Sequence, residues 1–217
     1  MIDYRLYLVT DDPSRYHSSD WLGQIIAAVD GGVTCIQYRD TESDSETQYR
    51  RILALKDALR GRVPIIVNND AELARSTRAE GVHVGQGDMP PEAVRAIVGG
   101  AVEIGLSITS MDDARRALPL LQKGYVNAVG IGPVFDARAT KKDASEAMGL
   151  CGLSAICRYF DAEASCPRSH RIAIGGIKLE NAKSVFESGV GSLAVVSAFS
   201  QSPDPKSVAR DFIAEIS

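Results

Sequence analysis

Cysteine, histidine and long apolar runs are scarce in this 217-residue sequence, and each scarcity argues against a class of protein. The four cysteines show no CxxC spacing, which favours buried free thiols over a zinc site or a disulfide framework. No apolar run has the length of a membrane-spanning helix and no signal-peptide pattern follows Met1, so we expect a cytoplasmic protein with no membrane partner. A net charge of −4 without basic runs argues against a nucleic-acid partner.

Familiar nucleotide-binding and protease motifs are also missing. The sequence contains no GxGxxG, GxxxxGK[ST] or HExxH pattern. Of the three histidines, His83 falls within a predicted strand as a core or rim residue, and His17 and His170 fall in irregular segments. These positions do not favour a histidine-based acid–base mechanism.

Short apolar runs alternate regularly with amphipathic segments along the whole chain. The pattern predicts eight strands, at residues 5–10, 34–39, 64–69, 81–85, 102–107, 126–132, 171–176 and 193–198. Helical periodicity follows each of them, with Ser45 as a possible cap of the second helix. We therefore predict an α/β fold, a single-domain (β/α)8 TIM barrel over residues 1–217. A doubly wound open sheet is the alternative.

Polar or glycine-rich residues follow nearly every predicted strand, where the strand bodies are apolar. In chain order they are Gln37, Arg39, Thr41; Asn68, Asn69, Asp70; Gln86, Asp88; Ser107, Thr109; Thr140, Lys141, Lys142; Gly175, Gly176; and Ser197. Each has a structural explanation when taken alone, such as helix capping by Asn69, Asp70 or Asp88. Because parallel strands of a barrel end on one rim, we expect these residues to form one site there.

Two features of this rim indicate phosphate. The segments "IGGI" and "VVSAFSQ" expose small residues near helix starts, where barrels of this kind bind phosphate. Arg39 and Lys141 form a second candidate anion site, with oxygen ligands for Mg²⁺ from Asn69 and Asp88. The loop "GIGPVFDARATKKDA" thus carries Lys141 as a functional residue, whereas Lys142 suits solvated surface.

Eight motifs in series resemble the thiamine-phosphate synthase family over nearly the whole chain. They are "LYLVTD", "GGVTCIQYRD", "PIIVNNDAELA", "GVHVGQGDMP", "IGLSITS", "GIGPVF" with "TKK", "IAIGGI" and "AVVSAFS". The resemblance implies a (β/α)8 barrel, in agreement with the pattern of strands and helices.

The resemblance also implies a reaction: hydroxymethylpyrimidine diphosphate condenses with hydroxyethylthiazole phosphate to give thiamine phosphate and pyrophosphate, with Mg²⁺ as cofactor. Catalysis would rest on Lys141, Arg39 and Ser107, without a protein nucleophile. The pyrimidine diphosphate would be held by Gln37, Arg39, Asn68, Ser107 and Lys141, the thiazole phosphate by Thr140, Gly176, Val196 and Ser197, and the metal by Asn69 and Asp88.

Three positions depart from the family pattern. Thr41 stands where the family usually has a lysine, and Asn69 stands where it has a metal-binding aspartate, with Asp70 adjacent. The loop "DARATK" is one residue longer than usual, and its Arg138 is a candidate replacement for the cation lost at position 41. The predicted substrate-binding set therefore also includes Thr41 and Arg138. These departures leave open a weakened barrel that binds thiamine precursors. A thiazole tautomerase-like isomerase is a further alternative, although "SITS" lacks the histidine that this related family uses after strand five. The sequence also leaves a homo-oligomer open.

Overall fold

Eight parallel strands, each hydrogen-bonded to the next in chain order, close into a barrel. The computed structural model describes residues 2–140, 145–163 and 165–216. The strands are β1 (Leu6–Val9), β2 (Cys35–Tyr38), β3 (Ile65–Asn68), β4 (Gly81–Val84), β5 (Glu103–Ile108), β6 (Ala128–Ile131), β7 (Arg171–Ile174) and β8 (Ser192–Val195). Pairing of Leu6 with Leu193 joins β1 to β8 and closes the ring. The predicted (β/α)8 barrel is confirmed, and the open sheet is excluded.

Helices cover the outside of the barrel. They are α1 (Trp21–Gly31), α2 (Ser45–Leu59), α3 (Ala71–Thr77), α4 (Pro91–Val98), α5 (Met111–Gln122), α6 (Gly149–Ala162), α7 (Leu179–Glu187), α8 (Ser197–Ser200) and α9 (Pro205–Glu215), with 3-10 turns at Pro13–Arg15 and Arg168–His170. None of the helices within the described ranges is long and apolar enough to cross a membrane.

Three local expectations are corrected by the structure. Helix α2 is capped by Asp44, whose carboxylate accepts a hydrogen bond from the Thr47 N–H, so Ser45 is the first helical residue. Strand β8 ends at Val195, because the short helix α8 begins at Ser197. Asp88 caps no helix, since α4 begins after Pro90 without a side-chain cap.

Alternate residues of each strand point into the barrel or out to the helices, as the two-residue period of a strand requires. The lower interior is filled by a cluster that includes Tyr7, Cys35, Ile66, Ala128 and Ala194. Residues two positions further along the strands also point inward, but lie one layer closer to the carboxyl-end rim. The inward-pointing residues of this layer include polar side chains, and these polar side chains form the floor of the site.

Candidate active site

A cavity of about 990 Å³ opens at the carboxyl ends of the strands. Most of its wall comes from the loops after β1 to β4, with Asn68, His83 and Ser107 contributed by strands β3, β4 and β5 and Thr140 by the loop after β6. Eight of the strand-end residues predicted from the sequence line it: Arg39, Thr41, Asn68, Asn69, Gln86, Asp88, Ser107 and Thr140. The polar strand ends therefore meet around one space.

His83 contributes to the floor of the cavity, which the sequence alone did not indicate. It lies on β4, and its Nε2 is 3.0 Å from Ser107 Oγ, a hydrogen-bonding distance. Two glycines make room for the ring: a Cβ at Gly105 would lie 2.4 Å from His83 Nδ1, and one at Gly130 would lie 3.0 Å from its Cε1. The floor is thus built so that an imidazole can lie across β5 and β6 and contact Ser107.

A Gly105→Ala substitution tests this packing. The added methyl group overlaps the His83 ring, so we expect the free energy of unfolding to fall by about 1–3 kcal/mol, the usual range for overpacking a buried site. Urea unfolding measures the change. Gly100→Ala is the matched control, because a Cβ at Gly100 meets nothing within 4 Å. Equal stability of the two variants would contradict the described position of His83.

Arg39 reaches the cavity from the end of β2. Its backbone is fixed by Thr10, whose Oγ1 accepts from the Arg39 N–H at 2.8 Å and donates to the Arg39 carbonyl oxygen at 2.9 Å. Its guanidinium makes no hydrogen bond or ion pair with the described residues, although it lines the cavity. A fixed backbone with unpaired N–H donors is suited to an anionic ligand.

Asp40 organises the loop that follows Arg39. Its Oδ2 accepts hydrogen bonds from Tyr38 Oη at 2.9 Å and Arg51 Nη1 at 2.7 Å, and its Oδ1 accepts from the Ser43 N–H at 3.0 Å. Burial acts to raise the pKa of this carboxyl, but the hydrogen bonds from Ser43, Tyr38 and Arg51 outweigh burial and lower the pKa. Asp40 is therefore a stabilising carboxylate close to the site, outside the cavity lining.

Replacing Asp40 by asparagine is expected to lower the free energy of unfolding at pH 7 by about 2 kcal/mol, because Tyr38 and Arg51, which both donate to Oδ2, lose a charged acceptor. A lowered pKa in the folded state means that the carboxylate stabilises the fold above its unfolded pKa of about 3.9. That contribution is lost as pH falls through the lowered pKa. Urea unfolding should thus show a smaller difference between wild type and variant at about pH 3 than at pH 7.

Asp30→Asn is the control for this prediction. Asp30 pairs with Arg62 on the exposed surface, so the variant should change stability little. A loss for Asp40→Asn that is independent of pH would contradict the role given to the carboxylate.

Asn69 and Asp88 face each other across the loops after β3 and β4. Asn69 Nδ2 donates to Asp88 Oδ1 at 3.3 Å, and the Gly85 N–H donates to Asp88 Oδ2 at 2.7 Å. Asn69 has a φ of 64°, in the left-handed region that asparagine and aspartate tolerate better than other residues with a Cβ. The adjacent Asp70 is used differently, because its Oδ1 accepts from the Leu73 N–H at 2.8 Å and caps α3.

The Asn69–Asp88 pair suits a divalent cation whose remaining coordination positions are filled by a phosphorylated ligand and water. Within the described residues, no group of three or more His, Cys, Asp or Glu side chains could hold a metal ion. Asp88 offers a carboxylate and Asn69 an amide oxygen, and Mg²⁺ accepts a small set of protein oxygens together with phosphate and water. The donor set suits Mg²⁺ bound with a phosphorylated ligand.

Comparison with known proteins decides the family. The family model described as thiamine monophosphate synthase matches residues 6–199. The thiamine-phosphate synthase of Psychrobacter sp. strain PRwf-1 is 38% identical over 214 residues, covering 97% of this chain and 94% of that protein. This chain belongs to the thiamine monophosphate synthase family.

Two further relatives agree with membership of the thiamine monophosphate synthase family. The thiamine-phosphate synthase of Azorhizobium caulinodans is also 38% identical over 214 residues, covering 96% of this chain and 92% of that protein. The solved structure of thiamine phosphate pyrophosphorylase from Pyrococcus furiosus matches with a TM-score of 0.82 at 27% identity, covering 99% of this chain and 96% of that one. The resemblance drawn from the ordered motifs is confirmed.

Several residues predicted from the thiamine monophosphate synthase pattern lie outside the cavity lining. Gln37 is buried beneath the cavity, where its Nε2 donates to Tyr7 Oη at 3.2 Å. Arg138 is exposed and donates two hydrogen bonds to the carboxylate of Asp136, at 2.9 and 2.6 Å. Lys141 lies outside the described residues, so its role stays a prediction.

The loops after β7 and β8 form a neighbouring part of the rim. Gly176 has a φ of 63°, and a Cβ there would lie 2.6 Å from Phe135 Cβ, so close packing on the β6 loop already requires glycine. Val196 precedes α8, and Ser197 begins it. The structure thus gives Gly176 a packing reason, while phosphate binding by Gly176, Val196 and Ser197 stays a prediction.

Proposed function

We propose that this chain condenses hydroxymethylpyrimidine diphosphate with hydroxyethylthiazole phosphate to give thiamine phosphate and pyrophosphate. The observation that carries the proposal is the cavity where Arg39, Asn68 and Ser107 line the same space as the Asn69–Asp88 pair. A cation, neutral donors and oxygen ligands around one space match the needs of a diphosphate leaving group. Family membership and thiamine-phosphate synthase relatives support the same reaction.

The reaction exchanges one bond for another at a single carbon. The bond between the pyrimidine methylene carbon and the diphosphate oxygen breaks, and its electron pair leaves with the diphosphate. The thiazole nitrogen then forms the new bond to that carbon. Because positive charge develops on the carbon and negative charge on the leaving group, the protein needs no nucleophile and acts by positioning and electrostatics.

Arg39 and Ser107 are the described residues best suited to the leaving group. The guanidinium of Arg39 brings a permanent charge and several N–H donors to the cavity. With His83 protonated at Nε2, the imidazole donates to Ser107 Oγ, and the Ser107 hydroxyl hydrogen is then available to a diphosphate oxygen. Lys141 would add a second charge in this proposal.

We propose Mg²⁺ as the cofactor, held by Asp88 and Asn69. When bound, the ion would supply positive charge next to the phosphate oxygens. Asp88 accepts the backbone N–H of Gly85, which orients its carboxylate toward Asn69. The amide of Asn69 presents its oxygen to a cation after a half-turn about its terminal torsion, which is a soft and roughly two-fold rotation.

The thiazole phosphate would bind on the other side of the rim, at Thr140, Gly176, Val196 and Ser197. Thr140 lines the cavity, and the loop that carries it packs against Gly176 through Phe135. This packing supports a phosphate position next to the diphosphate, as transfer between the two substrates requires. The cytoplasmic location stays a prediction, and a homo-oligomer stays an open alternative.

Incubation of the purified chain with both phosphorylated substrates and Mg²⁺ tests the proposal. We expect thiamine phosphate and pyrophosphate in equal amounts, and no thiamine phosphate above the enzyme-free background would overturn it. Exchange of a thiazole phosphate proton without the pyrimidine substrate would favour the tautomerase-like alternative. Tight binding of both substrates without turnover at any Mg²⁺ concentration would favour a barrel that only binds thiamine precursors.

A further inference from the structure

Arg15 lines the same cavity as Arg39 and the Asn69–Asp88 pair, although no sequence pattern singles it out. It ends the 3-10 turn Pro13–Arg15 that follows β1. This turn lies on the same rim as the loops after β2, β3 and β4, because β1 pairs with β2 in parallel register. Arg15 is therefore a cation of the cavity that comes from a different loop than Arg39.

The guanidinium of Arg15 is held from two sides. Its Nη1 donates to the Ala139 carbonyl oxygen at 3.2 Å and lies 3.7 Å from Asp11 Oδ1. Asp11 is buried, and its carboxylate accepts from Ser200 Oγ at 3.2 Å and from the Asp12 N–H at 3.0 Å. Arg15 thus links a fixed carboxylate beneath it to the loop that carries Thr140.

Most of the donors of this guanidinium remain available. Its other N–H groups make no hydrogen bond with the described part of the chain, and the side chain is 42% exposed. A group that is anchored at one edge and open at the other loses less entropy when it binds an anion than a free surface arginine does.

The charges of the described cavity wall favour such a role for Arg15. Among the described lining residues, the cations are Arg15 and Arg39, whereas four carboxylates are present: Asp11, Asp12, Glu42 and Asp88. Thr41 contributes no charge, and the Arg138 guanidinium pairs with Asp136 instead of lining the cavity. With Arg39 as the sole cation of this described wall, a diphosphate would meet one positive charge against four carboxylates, and Arg15 reduces this imbalance to two against four.

We infer that Arg15 is a second cation of the diphosphate site and binds phosphoryl oxygens of the pyrimidine diphosphate and of the pyrophosphate product. The inference rests on the proposed function, because it names a further residue of that same site. The hydrogen bond to Ala139 gives the contact a second effect, since a diphosphate held by Arg15 also fixes the loop that leads to Thr140.

Calorimetric titration with inorganic pyrophosphate and Mg²⁺, combined with steady-state kinetics, tests Arg15. In Arg15→Ala we expect about tenfold weaker pyrophosphate binding and a similar rise in KM for the pyrimidine diphosphate, as the loss of a charge-assisted contact predicts. The KM for the thiazole phosphate should change less than about twofold.

Arg15→Lys should retain most of the affinity, and Arg15→Gln, which keeps donors without the charge, should resemble Arg15→Ala. Arg115→Ala, an exposed arginine on α5 paired with Asp112, is the control that should bind as wild type does.

The outcomes separate this inference from the proposed function. Wild-type pyrophosphate affinity in Arg15→Ala overturns the inference even when thiamine phosphate is still made. A rise only in the KM for the thiazole phosphate also overturns it, as does a loss of affinity in Arg138→Ala with none in Arg15→Ala. A wild-type chain that makes no thiamine phosphate overturns the proposed function, while the pyrophosphate titration still decides whether Arg15 binds the anion.

Discussion

Replacing Arg39 by alanine is expected to lower kcat/KM for thiamine phosphate formation by about 10²- to 10³-fold. Removing one donor that stabilises developing charge has this cost in other enzymes. Arg39 combines a backbone fixed by Thr10 with a guanidinium that makes no hydrogen bond or ion pair with the described residues, so the substitution removes charge from the cavity without breaking a polar contact of the fold. Initial rates with both substrates at saturating Mg²⁺ measure the effect.

Two further variants separate charge from structure in this prediction. Arg39→Lys keeps the charge but loses the planar fork of donors, so we expect an intermediate rate. Arg50→Ala, an exposed α2 arginine paired with Glu46, should leave the rate unchanged. Wild-type kcat/KM in Arg39→Ala, with the melting temperature unchanged, would remove Arg39 from the mechanism.

Replacing Asp88 by asparagine is expected to raise the half-saturating Mg²⁺ concentration by about 10- to 100-fold, because the pair with Asn69 then holds no carboxylate. The shape of the side chain is conserved, and its hydrogen bond with the Gly85 N–H can persist through the amide oxygen. The rate of thiamine phosphate formation as a function of Mg²⁺ concentration measures the shift.

The neighbouring positions provide matched controls for the metal. Asn69→Asp adds a carboxylate next to Asp88 at a backbone conformation that aspartate tolerates, so it should lower the half-saturating Mg²⁺ concentration. Asp70→Asn should leave the Mg²⁺ dependence unchanged, because Asp70 caps α3 and asparagine caps nearly as well. A raised half-saturating Mg²⁺ concentration in Asp70→Asn, with none in Asp88→Asn, would contradict the assignment of the metal to Asn69 and Asp88.

The barrel could be predicted from the sequence because its strands are buried on both faces. Each strand is a short apolar run, such as Ile65–Asn68, followed by a helix with a single apolar stripe. Boundaries were harder to predict, since they depend on which of several adjacent polar residues forms the cap. Asp44 rather than Ser45 caps α2, because the carboxylate of Asp44 reaches the Thr47 N–H.

The site could be predicted in part because polar residues at strand ends stand out against apolar strand bodies. Arg39, Asn69 and Asp88 were found in this way, and the cavity brings them together. His83 was not found, because a histidine within a strand is typical of a core or rim position. The sequence signal for His83 is the pair of glycines on the next two strands, which leave room for its ring. That signal can be interpreted only when the register between these strands is known.

Arg15 could not be predicted because it lies in an irregular segment without periodicity or motif. Its position in the cavity follows from a 3-10 turn capped by Asp12, and from the contact with Ala139 more than one hundred residues away in the chain. Such long-range contacts are set by the closed barrel, which brings the loops after β1 and β6 to one rim.

A crystal structure with pyrophosphate and Mg²⁺ tests the central claim most directly. The account predicts that the diphosphate lies in the cavity, in contact with the guanidinium of Arg39, with a Mg²⁺ ion between its oxygens and Asp88. Pyrophosphate bound elsewhere on the protein, or bound in the cavity with no contact to Arg39 and no ion at Asp88, would contradict it.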